Sequence, residues 1–142
     1  MKIYWCGPTM GKTYAAKLNS NIIDFDDVAR NSFELLALKL NISIRELKMT
    51  MPTEYHKLFI QLINELQNVN SNKIVLVSNA IGLQYHLLFE KLLIPSCDVF
   101  IKRNIQRGGC KTESENWYND LMHKHNAMNL CQIENKFVSE IL

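Results

Sequence analysis

The sequence has no excess of charge of one sign, no long apolar run and no closely spaced pair of cysteines. Its 16 Lys and Arg residues nearly balance 14 Asp and Glu residues, which disfavours a protein that binds nucleic acid by neutralising many phosphates. The first apolar segment, Ile3 to Cys6, is too short for a signal-peptide core, and no run approaches membrane-spanning length. Four scattered cysteines without a C-x-x-C pair fit a reducing compartment. We therefore expect a cytoplasmic protein, neither exported nor inserted in a membrane.

Length and patterning predict one α/β domain over residues 1–142. Nearly half of the chain, 47%, is apolar, and short β-rich runs alternate with longer helical patterns, as in βα units with a mainly parallel sheet. Strands are predicted at Lys2–Cys6, Asn21–Phe25, Lys73–Val77, Asp98–Ile101 and Leu130–Ile133. Helical patterns cover Lys12–Leu18, Val28 to about Val69 with Pro52 in a first turn, Leu83–Leu93, Asn104 to about His125, and Phe137–Leu142.

A glycine-containing loop joins the first strand to the first helix. Its sequence, Gly7-Pro8-Thr9-Met10-Gly11-Lys12-Thr13, resembles the Walker A loop of the P-loop nucleoside triphosphate proteins, and its place between a strand and a helix is the context that this motif requires. Glycines let backbone N–H groups surround an anion, a lysine reaches the β- and γ-phosphates, and a hydroxyl binds magnesium. The resemblance implies that these residues and Tyr14 bind ATP, with Lys12 on the phosphates and Thr13 on Mg²⁺.

The loop departs from the Walker A pattern at its first position. In G-x-x-x-x-G-K-[ST] the first glycine falls at Cys6, so either Cys6 replaces it or the loop is one residue shorter. No base or cation near Cys6 can be identified from the sequence, so we expect its thiol to pack in the interior rather than to react.

An acidic pair follows the second predicted strand. The run Ile22-Ile23-Asp24-Phe25-Asp26-Asp27 resembles the D-x-D of shikimate and gluconate kinases, a branch of the nucleoside monophosphate kinase-like superfamily. The resemblance implies a three-layer P-loop fold with a five-stranded, mainly parallel sheet, helices on both faces and a small lid. It also implies that Asp24 helps to hold magnesium and that the pair orients an acceptor hydroxyl. The alternative is that these acids only begin the next helix.

Two arginines are candidates for a lid over the phosphates. Arg103 and Arg107 follow the predicted fourth strand and share one face if the segment is helical. In the kinases that the chain resembles, lid arginines stabilise the transferring phosphoryl group, so we expect a mobile lid over about residues 103–125. Trp117 and Tyr118 within it either stack on a base or fasten the lid helix to the body.

These features together predict an ATP- and magnesium-dependent phosphotransferase. The run 74–77 ends in Ser78-Asn79 rather than in an acid, which argues against helicases and transporter ATPases. A carboxylate can take a proton from an attacking hydroxyl and only four arginines are present, so we expect a small hydroxyl acceptor: a nucleoside or nucleotide, or a hydroxymethylated base in phage DNA. A phage enzyme would act in the host cytoplasm. The alternative is a module that binds nucleotide without turnover, in view of Cys6 and the missing acid.

Overall fold

A parallel sheet forms the centre of the protein, which we describe from a computed structural model over residues 1–69, 72–78, 89–127 and 132–142. Within these residues the sheet has four strands in the order β2-β3-β1-β4, and every neighbouring pair is parallel. The strands are β1 (Lys2–Cys6), β2 (Ile22–Asp24), β3 (Ile74–Val77) and β4 (Lys91–Leu93). Because parallel strands share a carboxyl edge, the residues that follow β1, β2 and β3 lie near one another.

Helices connect and cover these strands. They are α1 (Lys12–Leu18), α2 (Phe25–Lys39), α3 (Ile44–Thr50), α4 (Pro52–Val69), α5 (Cys97–Gln106), α6 (Lys111–Ala127) and α7 (Val138–Ile141). Pro52 is the first residue of α4, as its pattern predicted, because a proline there loses no helical hydrogen bond. No helix in the described ranges is both long and apolar enough to cross a membrane.

Both faces of the sheet are buried under helices. Ile3 and Trp5 of β1 belong to a larger core with α2 to α6, whereas Tyr4 and Cys6 pack in a smaller core with Ala15 of α1 and Val138 of α7. This alternation follows from the two-residue period of a strand. The α/β class and the parallel sheet predicted from the sequence are therefore confirmed.

The prediction of five strands is wrong for the described residues. Residues 98–101 lie inside α5 instead of forming a strand. Three consecutive apolar residues, Val99 to Ile101, fit one turn of a buried helix as well as they fit a strand. Lys91–Leu93, predicted as a helix end, is β4 because it pairs with Tyr4 to Cys6. Of the predicted strand 130–133, Ile133 makes a single parallel bridge with Ile94. Residues 83–88 and 130–131 of these predictions lie outside the described residues.

Candidate functional site

The loop of residues 7–13, here named the glycine loop, leaves β1 at the carboxyl edge of the sheet. Its first turn is close to β4: the Gly7 N–H donates to the Leu93 carbonyl at 2.6 Å, and a Cβ on Gly7 would lie 3.2 Å from that oxygen. Gly11 has a φ of 73°, in the left-handed region, and a Cβ there would lie 3.2 Å from Cδ1 of Phe137. Both glycines are thus required by the geometry of the loop.

Lys12 places its ammonium between two carboxylates. Its Nζ lies 3.1 Å from Oδ1 of Asp24 and 3.0 Å from Oδ2 of Asp26. The Asp24 side chain is only 6% exposed, and that of Asp26 is 40% exposed. The structure thus joins three residues that the sequence had singled out for the same site.

Two hydroxyl groups complete the hydrogen bonds of these carboxylates. Thr13 Oγ1 donates to Oδ2 of Asp24 at 2.8 Å, and Ser78 Oγ, directly after β3, donates to Oδ2 of Asp26 at 2.7 Å. Asp24 is the N-cap residue of α2, yet its side chain makes no capping hydrogen bond. Its carboxylate instead contacts Lys12 and Thr13, so the alternative of a simple helix cap does not describe Asp24.

The same environment shifts the pKa of two groups. Burial by itself would lower the pKa of Lys12, but the charges and hydrogen bonds of Asp26 and Asp24 outweigh it and raise the pKa above the ordinary value, which keeps the ammonium charged. Burial raises the pKa of Cys6 to about 12, and nearby Lys12 offsets this only in part. The Cys6 thiol is therefore a protonated packing group, as expected, and not a nucleophile.

A cavity of about 460 Å³ opens beside the glycine loop, within the range of small-molecule sites. Three parts of the chain surround it: the glycine loop with Tyr14, the residue after β3, and the end of α5 with the C-terminal segment. Its lining residues are Gly7, Pro8, Thr9, Met10, Gly11, Lys12, Thr13, Tyr14, Ser78, Arg103, Gln106, Arg107 and Phe137. Every residue predicted from the sequence to bind ATP thus lies in the wall of one cavity, whereas Asp24 and Asp26 are not among its lining residues.

The two arginines predicted for a lid line this cavity in different ways. Arg103 lies in α5, and its terminal nitrogens donate to the carbonyls of Thr9 at 3.3 Å and Asn135 at 3.0 Å. Its guanidinium lies 4.0 Å from the centre of the Phe137 ring. Arg107, at the C-terminal cap of α5, is exposed. Arg103 is thus tied to the loop main chain, and Arg107 alone of the pair presents an exposed side chain.

The segment predicted as a lid is largely helix α6, attached to the body by aromatic residues. Tyr118 is buried, donates from its hydroxyl to the Pro95 carbonyl at 2.6 Å, and lies 5.4 Å from the Phe100 ring centre. Trp117 packs edge-on against Phe100 at 5.6 Å and is half exposed. These contacts fasten α6 to α5, which is the second of the two roles considered for this aromatic pair.

Three residues of the site have no role that was predicted from the sequence: Ser78, Gln106 and Phe137. Gln106 is the last residue of α5, and no motif marks it. Ser78 could have been found, because it directly follows the strongest predicted strand and so falls at the edge where Asp24 also ends its strand. Phe137 comes from the far end of the chain, and no motif marks it; only the tertiary structure places it against Gly11.

Comparisons with protein-family models, with curated proteins and with solved structures found no significant match to this chain.

Proposed function

We propose that this chain is a P-loop kinase that transfers the γ-phosphate of ATP to a small acceptor. The observation that carries the proposal is that Lys12 contacts Asp24 and Asp26, and Thr13 contacts Asp24, where Lys12 and Thr13 line a cavity of about 460 Å³. Phosphoryl transfer needs a lysine that binds phosphate, a hydroxyl that binds the metal ion and carboxylates that contact the acceptor.

The position of the glycine loop in the sheet supports the proposal. The loop follows β1, which lies between β3 and β4. The connection from β1 leads to β2 at one edge of the sheet, and the connection from β3 leads to β4 at the opposite edge. The adjacent strands β1 and β3 therefore flank a topological switch point, which is the usual ligand site of open parallel sheets. In the described part of the chain, the N–H groups of residues 11–14 donate to no backbone carbonyl, as is usual for the first turn of a helix, and such groups can bind phosphate oxygens.

The donors beside Lys12 suit magnesium. Mg²⁺ prefers oxygen ligands and is usually held by one or two carboxylates together with substrate phosphates, and Thr13 and Asp24 supply a hydroxyl and a carboxylate that already touch. When bound, the ion would neutralise charge on the phosphates. In the bound state the Lys12 ammonium would exchange part of its contact with Asp24 for a phosphate oxygen.

The charges around Asp26 favour a hydroxyl acceptor over a phosphate acceptor. Asp26 is partly exposed, and Lys12 is the cation that contacts it among the described residues. Arg30, one turn beyond Asp26 in α2, has its Nη2 3.9 Å from Oδ1 of Asp27, and both side chains are exposed. A neutral hydroxyl avoids repulsion, and Asp26, oriented by Ser78, can accept its proton as the oxygen attacks phosphorus.

The test is transfer of labelled phosphate from ATP and magnesium to a panel of nucleosides, mononucleotides and DNA containing hydroxymethyluracil. We expect Asp26→Asn to lower the transfer rate by about 10²-fold or more, the range of a general base, with little change in ATP affinity. Asp27→Asn is the matched control, because Asp27 is the next residue of α2 and its partner is an exposed arginine. If Asp26→Asn and Asp27→Asn transferred phosphate at equal rates, Asp26 would not be the general base.

A nucleotide-binding module without turnover is the alternative, and the same experiment separates it. ATP binding without transfer to any acceptor on the panel would favour the module. The observation that favours the module is the pairing of Lys12 with the carboxylates of Asp24 and Asp26, because a phosphate that binds Lys12 must disturb these ion pairs.

A further inference from the structure

Thr9 holds a backbone conformation that its own side chain disfavours. Its φ is 68°, in the left-handed region, where a β-branched residue is a steric outlier. Glycine takes this conformation freely. Strain of this kind persists only where the surroundings hold the residue in place, so the cause lies outside Thr9.

The Thr9 hydroxyl does not compensate for the strain. The residue is 5% exposed, and its Oγ1 has no hydrogen-bond partner within the described residues. A buried hydroxyl without a partner is itself unfavourable. The bend at Thr9 is therefore held through the main chain and not through the side chain.

Arg103 and the C-terminal segment contact the main chain at this bend. One terminal nitrogen of Arg103 donates to the Thr9 carbonyl, the other donates to the Asn135 carbonyl, and the guanidinium stacks over Phe137. Directly beyond Thr9, the Met10 carbonyl accepts the Val138 N–H at 2.8 Å. The planar fork of an arginine can bond in two directions and stack at once, which a lysine cannot do.

We propose that Arg103, stacked on Phe137, is a positioning residue that holds the glycine loop in its left-handed bend at Thr9, and that it acts on phosphate only through this loop. The identity of the ligand as a triphosphate rests on the proposed function, whereas the coupling between Arg103 and the bend at Thr9 does not. A loop whose bend is already fixed loses less conformational freedom when a triphosphate binds, and the affinity is correspondingly higher.

A double-mutant cycle between positions 103 and 9 tests the proposal. We expect Arg103→Ala to weaken the binding of ATP with magnesium by about ten-fold or more. In the background of Thr9→Gly, which adopts the bend without strain, the same change should cost less than about three-fold. Thr9→Ala removes the β-branch but keeps the Cβ, which disfavours the left-handed region in every L-residue, so it should rescue Arg103→Ala less than Thr9→Gly does.

The same six chains, wild type and Arg103→Ala each with Thr9, Thr9→Gly or Thr9→Ala, are compared by thermal unfolding. The loss of melting temperature caused by Arg103→Ala should also be smaller in the Thr9→Gly background. Arg45→Ala, at an exposed position of α3, is the control and should show no coupling to position 9. This readout needs no ligand, so it decides the proposal even if the wild-type chain fails to bind ATP and the proposed function falls.

Three results would overturn the inference. Equal losses of affinity and of melting temperature in the threonine and glycine backgrounds would mean that Arg103 does not act through the bend. Rescue by Thr9→Ala as complete as rescue by Thr9→Gly would assign the effect to the side chain. A wild-type phenotype for Arg103→Ala in both assays would remove the positioning role altogether.

Discussion

Replacement of Lys12 by methionine tests how the site is held together. Methionine keeps much of the length and apolar volume of the lysine stem but removes the ammonium that lies 3.1 Å from Asp24 and 3.0 Å from Asp26. Two carboxylates then lie close together without a cation, and among the described residues their remaining hydrogen-bond partners are the hydroxyls of Thr13 and Ser78. We expect a clear loss of stability in addition to any loss of nucleotide binding.

The size of the loss follows from the burial of the pair. At 3 Å and an effective dielectric constant of about 20, each ion pair amounts to about 5 kcal/mol of attraction before desolvation is subtracted. Removal of one partner from a buried pair typically costs about 3–5 kcal/mol. Because the Asp26 side chain is 40% exposed, we expect the lower end, about 3 kcal/mol, or about 10 °C in melting temperature for a chain of this length.

The assay is urea unfolding of wild type, Lys12→Met, and Lys12→Met combined with Asp24→Asn. The double variant should regain at least half of the loss, because only one carboxylate remains charged. Lys17→Met, in the last turn of the same helix and exposed, is the control and should stay within about 0.5 kcal/mol of wild type. A Lys12→Met variant as stable as Lys17→Met would refute this account of the electrostatics.

Three further predictions concern a thiol, a phenol and a glycine. Burial raises the pKa of Cys6 from 9.0 to about 12, so the unfolded chain releases the thiol proton first as the pH rises. The free energy of unfolding should therefore fall by up to about 1.4 kcal/mol per pH unit between pH 9 and about pH 12. Cys6→Ala should lack this contribution when the pH dependence of its stability is compared with that of wild type. Tyr118→Phe loses the bond to the Pro95 carbonyl and should cost about 1–3 kcal/mol in urea unfolding, with faster hydrogen exchange in α6. Gly11→Ala, at φ 73° and against Phe137, should cost about 1–2 kcal/mol and weaken ATP binding measured by calorimetry.

The first half of the fold and the centre of the site could be predicted because their signals are local. The β-run 2–6, the glycine loop and the helix that follows are consecutive in sequence, and each has its own pattern. The carboxylate pair comes at the end of the next strand, and strands of a parallel sheet bring such ends to one edge. The structure accordingly brings together Lys12, Asp24 and Asp26, the three side chains that these local patterns had singled out.

The second half was harder because tertiary contacts override local preference there. Lys91–Leu93 consists of residues that favour helices, but pairing with β1 makes it a strand. The apolar residues 99–101 follow Ser96, the N-cap residue of α5, and Asp98 in its first turn; both are helix start signals that competed with the strand pattern. The contact of Arg103 with Phe137 joins residues far apart in sequence, and no local rule predicts it.

Calorimetric titration of the wild-type chain with ATP and magnesium shows most directly whether the glycine loop binds a triphosphate. We expect saturable binding of ATP and much weaker binding of AMP, because Lys12 would contact the β- and γ-phosphates. Lys12→Ala, at a temperature where that variant is folded, should lose at least about ten-fold in ATP affinity, or about 1.4 kcal/mol. Wild-type protein that does not bind ATP, or a Lys12→Ala variant that binds it as tightly as wild type, would contradict the assignment of a phosphate-binding loop.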